Sequence, residues 1–176
     1  VNSSSQDLVS ISLEIGKRKT VSRPAPLPTS PTNIEFGQAG LDILAEIKNL
    51  PTFAKAEKLK RFVKTILKYS NDSSQNEVHR SGNPAEYFKR IEQSGLADCD
   101  VANTYFLALC RQAGISGVLR VGHYVPAKDG NNATVMSSGT AHAWSEIWDD
   151  SSRKWILMDA TPSGDPNMDD DSQELS

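Results

Sequence analysis

The stretch GLADCDVANTYFLALCRQAGI, residues 95–115, decides how the chain is read. From about Asp100 to Ala113 it sets Ala102, Tyr105, Phe106, Leu109 and Ala113 on one stripe at three- and four-residue spacing, and Gly114 follows as a stop. That pattern predicts a buried central helix. Cys99 stands where the chain enters it, so the unpaired amides and positive end of the helix favour a negatively charged sulfur there. Asp98 and Asp100 flank the thiol and oppose that effect, so a cationic imidazole nearby is needed to complete it. Taken alone, Cys99 reads as a packing residue. Cys110 lies further along the same helix; at about 1.5 Å per residue the two are roughly 16 Å apart, beyond disulfide reach. Two independent thiols are expected.

Downstream, SGVLRVGHYVPA (residues 116–127), AHAWSEIWDD (141–150) and KWILMDATP (154–162) have strand composition, and DDSSR between the last two has the residues of a turn. If that turn is centred on Asp150 and Ser151, facing residues have numbers that sum to about 301 or 302, which sets His142 opposite Asp159 or Ala160. A register slip of one residue would send either side chain to the other face. A catalytic imidazole needs such a carboxylate to hold its tautomer and to stabilise the imidazolium formed when it takes a thiol proton. Individually, His142 reads as a hydrogen-bonded core histidine and Asp159 as an acid at a strand end. The three together, in the order Cys99, His142, Asp159, point to nucleophile, base and orienting acid.

Upstream, LDILAEIKNL (41–50) and FAKAEKLKRFVKTILKY (53–69) carry apolar residues three and four apart, with Phe62, Ile66 and Tyr69 continuing one face of the second. Two amphipathic helices are expected. SNDSSQNEVHRSGN (70–83) reads as a loop, and PAEYFKRIEQ (84–93) as a short helix with proline in its first turn. Helices first and antiparallel strands second is an α+β order, a central helix packed on an antiparallel sheet.

The segment around Cys99, then AHAWSEI and WILMDATP, resembles the core signature of the transglutaminase-like superfamily over about residues 40–163. The resemblance rests on the cysteine at the helix approach, on His142-Ala143-Trp144, and on Asp159-Ala160-Thr161-Pro162. It implies a papain-like fold, with Cys99 as nucleophile, His142 as general base and acid, and Asp159 as orienting carboxylate. It implies cysteine-dependent acyl transfer on amide or peptide carbonyls through a thioester, of protease, amidase or transglutaminase type. De-N-glycosylation of glycopeptides and a non-catalytic protein-binding module are the alternatives. Members of the family usually carry Gly-Ile-Pro-Ala-Arg after the helix. Here Gly114, Ile115, Ser116, Gly117 and Val118 stand there, with arginine displaced to Arg120, and the usual Gly-Tyr pair appears as Gly122-His123.

The backbone N–H of Cys99 is the natural first donor of an oxyanion hole. Tyr69, Asn71 and Gln75 are candidates for the second, against the plainer reading of a helix end and a polar loop. Trp144, Trp148 and Trp155 alternate with polar residues along two strands. Cross-strand packing is the simpler expectation for them, and Trp144 is a candidate groove wall.

The 176 residues, 38% hydrophobic, suffice for one core. The segment LVSISLEI (8–15) alternates like a strand, and KRKTVSRPAPLPTSPTN, with Pro24, Pro26, Pro28 and Pro31, reads as a solvated linker. Residues 1–33 are therefore expected to precede a catalytic domain at 34–163, with an acidic disordered tail at 164–176. The 19 basic and 22 acidic side chains interleave, which speaks against a nucleic-acid partner; the protein or peptide substrate is what the resemblance implies. No apolar run approaches the ~18 residues of a membrane helix, and the start lacks the order of a signal peptide. A chain that opens on valine is expected to be part of a larger one, which leaves the compartment open, an extracytoplasmic one included. No cofactor is implied. His79 and His123 match no zinc spacing, and Asp165, Asn167, Asp169 and Asp171 lack the glycine and glutamate of a calcium loop, so no metal is expected. The polar loop KDGNNATVMSSG (128–139) is expected to border the cleft.

Overall fold

A computed structural model describes residues 24–26, 34–123 and 141–164. The strand-like segment at 8–15, most of the proline-rich stretch, the loop at 128–139 and the acidic tail from 165 onward lie outside the described residues. Among the described residues, five helices and five strands follow in the order α1 (Gln38–Glu46), α2 (Thr52–Ile66), β1 (Lys68–Tyr69), α3 (Ser73–Arg80), a 3-10 turn (Pro84–Glu86), α4 (Tyr87–Ser94), β2 (Leu96–Ala97), α5 (Cys99–Gln112), β3 (Gly117–His123), β4 (Ala141–Asp149) and β5 (Lys154–Met158). The fold is α+β, with helices on one side of an antiparallel sheet of order β3-β4-β5. Among the described residues, no helix is long and apolar enough to cross a membrane.

α5 is the central element. It lies between α2 and the inner face of β3 and β4. Tyr105, Phe106 and Leu109 are fully buried, as the stripe predicts, and they meet Leu59 and Val63 of α2 and Ile147 and Met158 of the sheet in one core. Each such side chain contributes about 1.5–3 kcal/mol on burial, which fixes the helix on the sheet far more firmly than its propensity could. Gly114, at φ 78°, ends it.

A carboxylate ties the first helix to this centre. Glu92 of α4 accepts from the backbone N–H groups of Gly37 (2.7 Å) and Gly40 (3.2 Å) and from the Tyr105 hydroxyl (2.8 Å). It thus caps α1 from another helix, satisfying amides that α1 cannot satisfy itself. An added Cβ at either glycine would run into this carboxylate and displace it from the cap.

Three local expectations are corrected. The second helix ends at Ile66, and Tyr69 belongs to β1, whose backbone pairs with β2 (Lys68 with Leu96, Tyr69 with Ala97). Tertiary pairing here overrides the helical spacing. Residues 70–83 are not all loop, because α3 forms from Ser73, capped by Asp72, whose side chain accepts from Ser74 N–H at 2.9 Å. The hairpin register also differs: Ser145 faces Met158 and Asp149 faces Lys154, so facing numbers sum to 303. The turn is longer than a centre at Asp150-Ser151 requires. Asp149 accepts from the backbone N–H groups of Ser151 (3.3 Å) and Ser152 (3.0 Å), and Arg153 adopts φ 53°. β5 ends at Met158, one residue before Asp159.

On the outer face of the hairpin, Trp148 and Trp155 meet edge to face at 5.7 Å, the cross-strand packing expected of them. The Trp155 indole donates to the Pro24 carbonyl at 3.3 Å. Cys99 and Cys110 are both free thiols.

Candidate active site

Three backbone devices converge on Cys99. The β1–β2 bridge, reinforced by Lys68 N–H to the Gly95 carbonyl (2.9 Å) and Ser70 N–H to the Ala97 carbonyl (3.0 Å), fixes the approach. Asp98 then caps α5, its side chain accepting from Val101 N–H at 3.0 Å. Cys99 is the first helical residue, half-buried at the positive end of the helix dipole. The third device is the sheet, which delivers His142 at the start of β4, opposite Gly122.

His142 Nε2 lies 2.7 Å from Asp159 Oδ2. The two groups are not directly opposed, as a register of 301 would have it. Extended past β5, the observed register sets His142 level with Thr161, so Asp159 is its diagonal neighbour. A shift of two residues preserves face parity, which is why the contact survives the altered turn. Nε2 faces Asp159, which turns the buried Nδ1 to the other side of the ring.

The electrostatics follow from these contacts. The hydrogen bond to Asp159 and then that to Cys99 push the His142 imidazole up to about 10, against burial, which acts the other way. Burial would raise the Asp159 carboxyl. The hydrogen bonds from His142, Thr161 and Asn103 outweigh it and hold the carboxyl at about 2. Asp159 is thus a fixed anion and His142 a cation over the ordinary pH range. Asp98 is pushed the other way, to about 7, by burial first and then by a hydrogen bond with Asp100.

Trp144 stacks on His142, ring centroids 6.2 Å apart at 17°. Its indole crosses Gly122, where a Cβ would stand 3.0 Å from the ring. It therefore covers one face of the imidazole. Arg120 bonds Glu146 of the neighbouring strand at 3.0 Å. Of the oxyanion candidates, Tyr69 is held against the approach to Cys99 through its pairing with Ala97. Asn71 is exposed between β1 and α3, and Gln75 lies half-buried on the first turn of α3. A hollow of about 390 Å³, lined by Ile34, Leu41, Leu44 and Lys48, reaches Gln112 and Ala113 at the far end of α5 from Cys99.

Asn103, Ser145 and Thr161 escaped the sequence reading. All three are buried polar residues around Asp159 and the first turns of α5. One signal for Asn103 was present: a polar residue within the apolar stripe, four positions after Cys99.

The family model of the transglutaminase-like superfamily matches residues 42–160. A solved structure described as "Crystal structure of a TGase" is similar at 16% identity, covering 78% of this chain and 35% of that one, with a TM-score of 0.41. The chain thus spans about a third of that protein's length. Among curated proteins, none matches. With the family's model running through most of the sequence, the chain belongs to the transglutaminase-like superfamily.

Proposed function

We propose that this chain catalyses cysteine-dependent acyl transfer at amide or peptide carbonyls. The observation that carries the proposal is the His142 ring, held by Asp159 at 2.7 Å through Nε2, with Cys99 close enough to act on the same imidazole. Since Nε2–H donates to a carboxylate that stays ionised, Nδ1 is the nitrogen that exchanges a proton with the thiol, and the raised His142 holds that proton in the resting site.

With that proton on His142 Nδ1, Cys99 Sγ attacks the carbonyl carbon, and a C–S bond forms as the carbonyl π pair moves to oxygen. Amide groups at the start of α5 face the developing oxyanion, with Cys99 N–H the first donor and the Tyr69 segment the source of the second. On collapse the C–N bond breaks, and the imidazolium returns the proton to the departing nitrogen. The thioester that remains is resolved by water or by an amine, with His142 again accepting a proton from the attacking group. Asp159 stays anionic throughout and stabilises the imidazolium. The substrate class is protein or peptide. Hydrolysis is favoured over transamidation, because the bacterial-type members that the sequence resembles are often proteases or amidases.

Incubation of the native chain and of Cys99→Ala with a protein extract and a tagged primary amine tests both the reaction type and the nucleophile. Fragments or tag incorporation that vanish in Cys99→Ala are expected. Products that form equally with both, or with neither, remove the proposal and favour a protein-binding module.

A further inference from the structure

Asn103 sits one turn into α5 from Cys99 and is wholly buried. A polar side chain so placed costs stability unless its hydrogen-bonding groups are satisfied. Here they are more than satisfied. Nδ2 lies 2.9 Å from the Cys99 carbonyl, 3.1 Å from the Ala143 carbonyl, 3.1 Å from Asp159 Oδ1 and 3.2 Å from Thr161 Oγ1. Oδ1 accepts from Ser145 Oγ at 2.9 Å and from Ala160 N–H at 3.1 Å. The orientation of the amide is fixed by its neighbours: the Ala160 N–H can only donate, and the Cys99 and Ala143 carbonyls can only accept, so a flipped amide would set like against like.

The partners belong to the helix that carries the nucleophile, to the strand that carries the base, and to the run that carries the acid. Asp159 Oδ1 receives Asn103 Nδ2, Thr161 N–H (2.9 Å) and Thr161 Oγ1 (2.6 Å), which leaves Oδ2 turned toward His142. We infer that Asn103 is a positioning residue: one amide holds the first turn of α5, the backbone of β4 beside His142 and the Asp159 carboxylate in a single geometry. This rests on the proposed function, since positioning has meaning only if these three groups react together. Asn103 touches no reacting atom and acts through Asp159 and through the backbone of Cys99.

A residue that merely fastens the fold would lower stability and leave the site unaltered in folded molecules. The test therefore reads the site in folded protein, without substrate. Cys99 alkylation by iodoacetamide against pH, and the ring titration of His142 by NMR, are measured for the full chain, Asn103→Ala and Asn103→Asp. Both variants are expected to alkylate about 10²-fold more slowly, the loss typical of groups misplaced by about an ångström. The His142 titration is expected to fall from about 10 toward 6.5. Asn103→Asp carries a signature: its rate relative to wild type recovers as pH falls, because the protonated carboxyl regains a donor. Folded variants with wild-type rate and titration overturn the inference while leaving the proposed function intact. A wild-type Cys99 no faster than a simple thiol removes the proposed function, and the inference with it. Should both variants fail to fold, Thr161→Val removes the hydroxyl shared by Nδ2 and Asp159 Oδ1; slowing in the same direction is expected, and an unchanged rate overturns the inference.

Discussion

Cys99 and Cys110 ride on one helix, and their surroundings share almost nothing. Cys99 is half-buried at the N-terminus of α5, beside an imidazolium held by a half-buried carboxylate. Cys110 lies near the other end, fully buried among apolar side chains, and burial pushes its thiol far up. The same atom type is thus a nucleophile candidate at one end of the helix and filling at the other. What separates them is access to polar partners brought by the sheet, because the helix alone distinguishes them only through its dipole, which fades within a turn.

The largest effect should appear in their alkylation. In the native chain Cys110 can react only when the core opens, which suppresses its rate by about 10³-fold for a domain of ordinary stability. Cys99 needs no opening. Mass-resolved iodoacetamide labelling should find nearly all early label on Cys99, and the two rates should converge in denaturant. Equal native rates would erase the contrast.

The next effect is on pH-dependent stability. His142 is raised to about 10 in the fold from an ordinary value of 6.5. Its contribution is therefore fully present below about 6.5 and is lost as pH rises through 10. Asp159, lowered to about 2 from 3.8, contributes above its unfolded value and loses that contribution as pH falls through 2. Urea midpoints of the native chain and His142→Gln should accordingly draw together between pH 6.5 and 10. A constant gap across that window would mean that the imidazole is not charged in the fold. At the opposite end of the helix, Cys110→Ser buries a hydroxyl in the core. It should lower stability by about 1–3 kcal/mol, with Cys99 labelling unchanged in the folded variant. A loss of Cys99 reactivity would couple the two ends.

Much of this contrast was legible in the sequence. Cys99 is marked by its place at the entry to the apolar stripe, whereas Asp98 reads there only as an opposing charge and not as the cap that it is. His142 and Asp159 are marked by a hairpin whose face parity survives a register error of two. What could not be read depends on distant partners. Tyr69 continues a helical face by spacing, yet β2 takes its backbone into a strand. α3 has little apolar character, and its only described buried side chain is His79, which bonds Ser94 of α4 at 2.9 Å. Nothing in its own eight residues announces that docking. Asn103 draws partners from Cys99 through Thr161, and no local pattern encodes such a meeting.

The smallest expected effect concerns Asp98, the group that works against the contrast from within. It caps α5, which favours it, yet burial and the hydrogen bond with Asp100 raise it from 3.8 to about 7. Its contribution to stability is fully present below about 3.8 and is lost as pH rises through 7. Asparagine caps a helix nearly as well and carries no charge. Asp98→Asn should therefore change stability by only about 0.5 kcal/mol in acid and flatten the decline between pH 4 and 7. Above pH 7 it also removes an anion beside the sulfur, so Cys99 should alkylate a few-fold faster than wild type, while below pH 5 the two rates should coincide. If the variant is slower at high pH, Asp98 acts on Cys99 chiefly as a cap, and the flanking charge that the sequence sets against the thiol has no force.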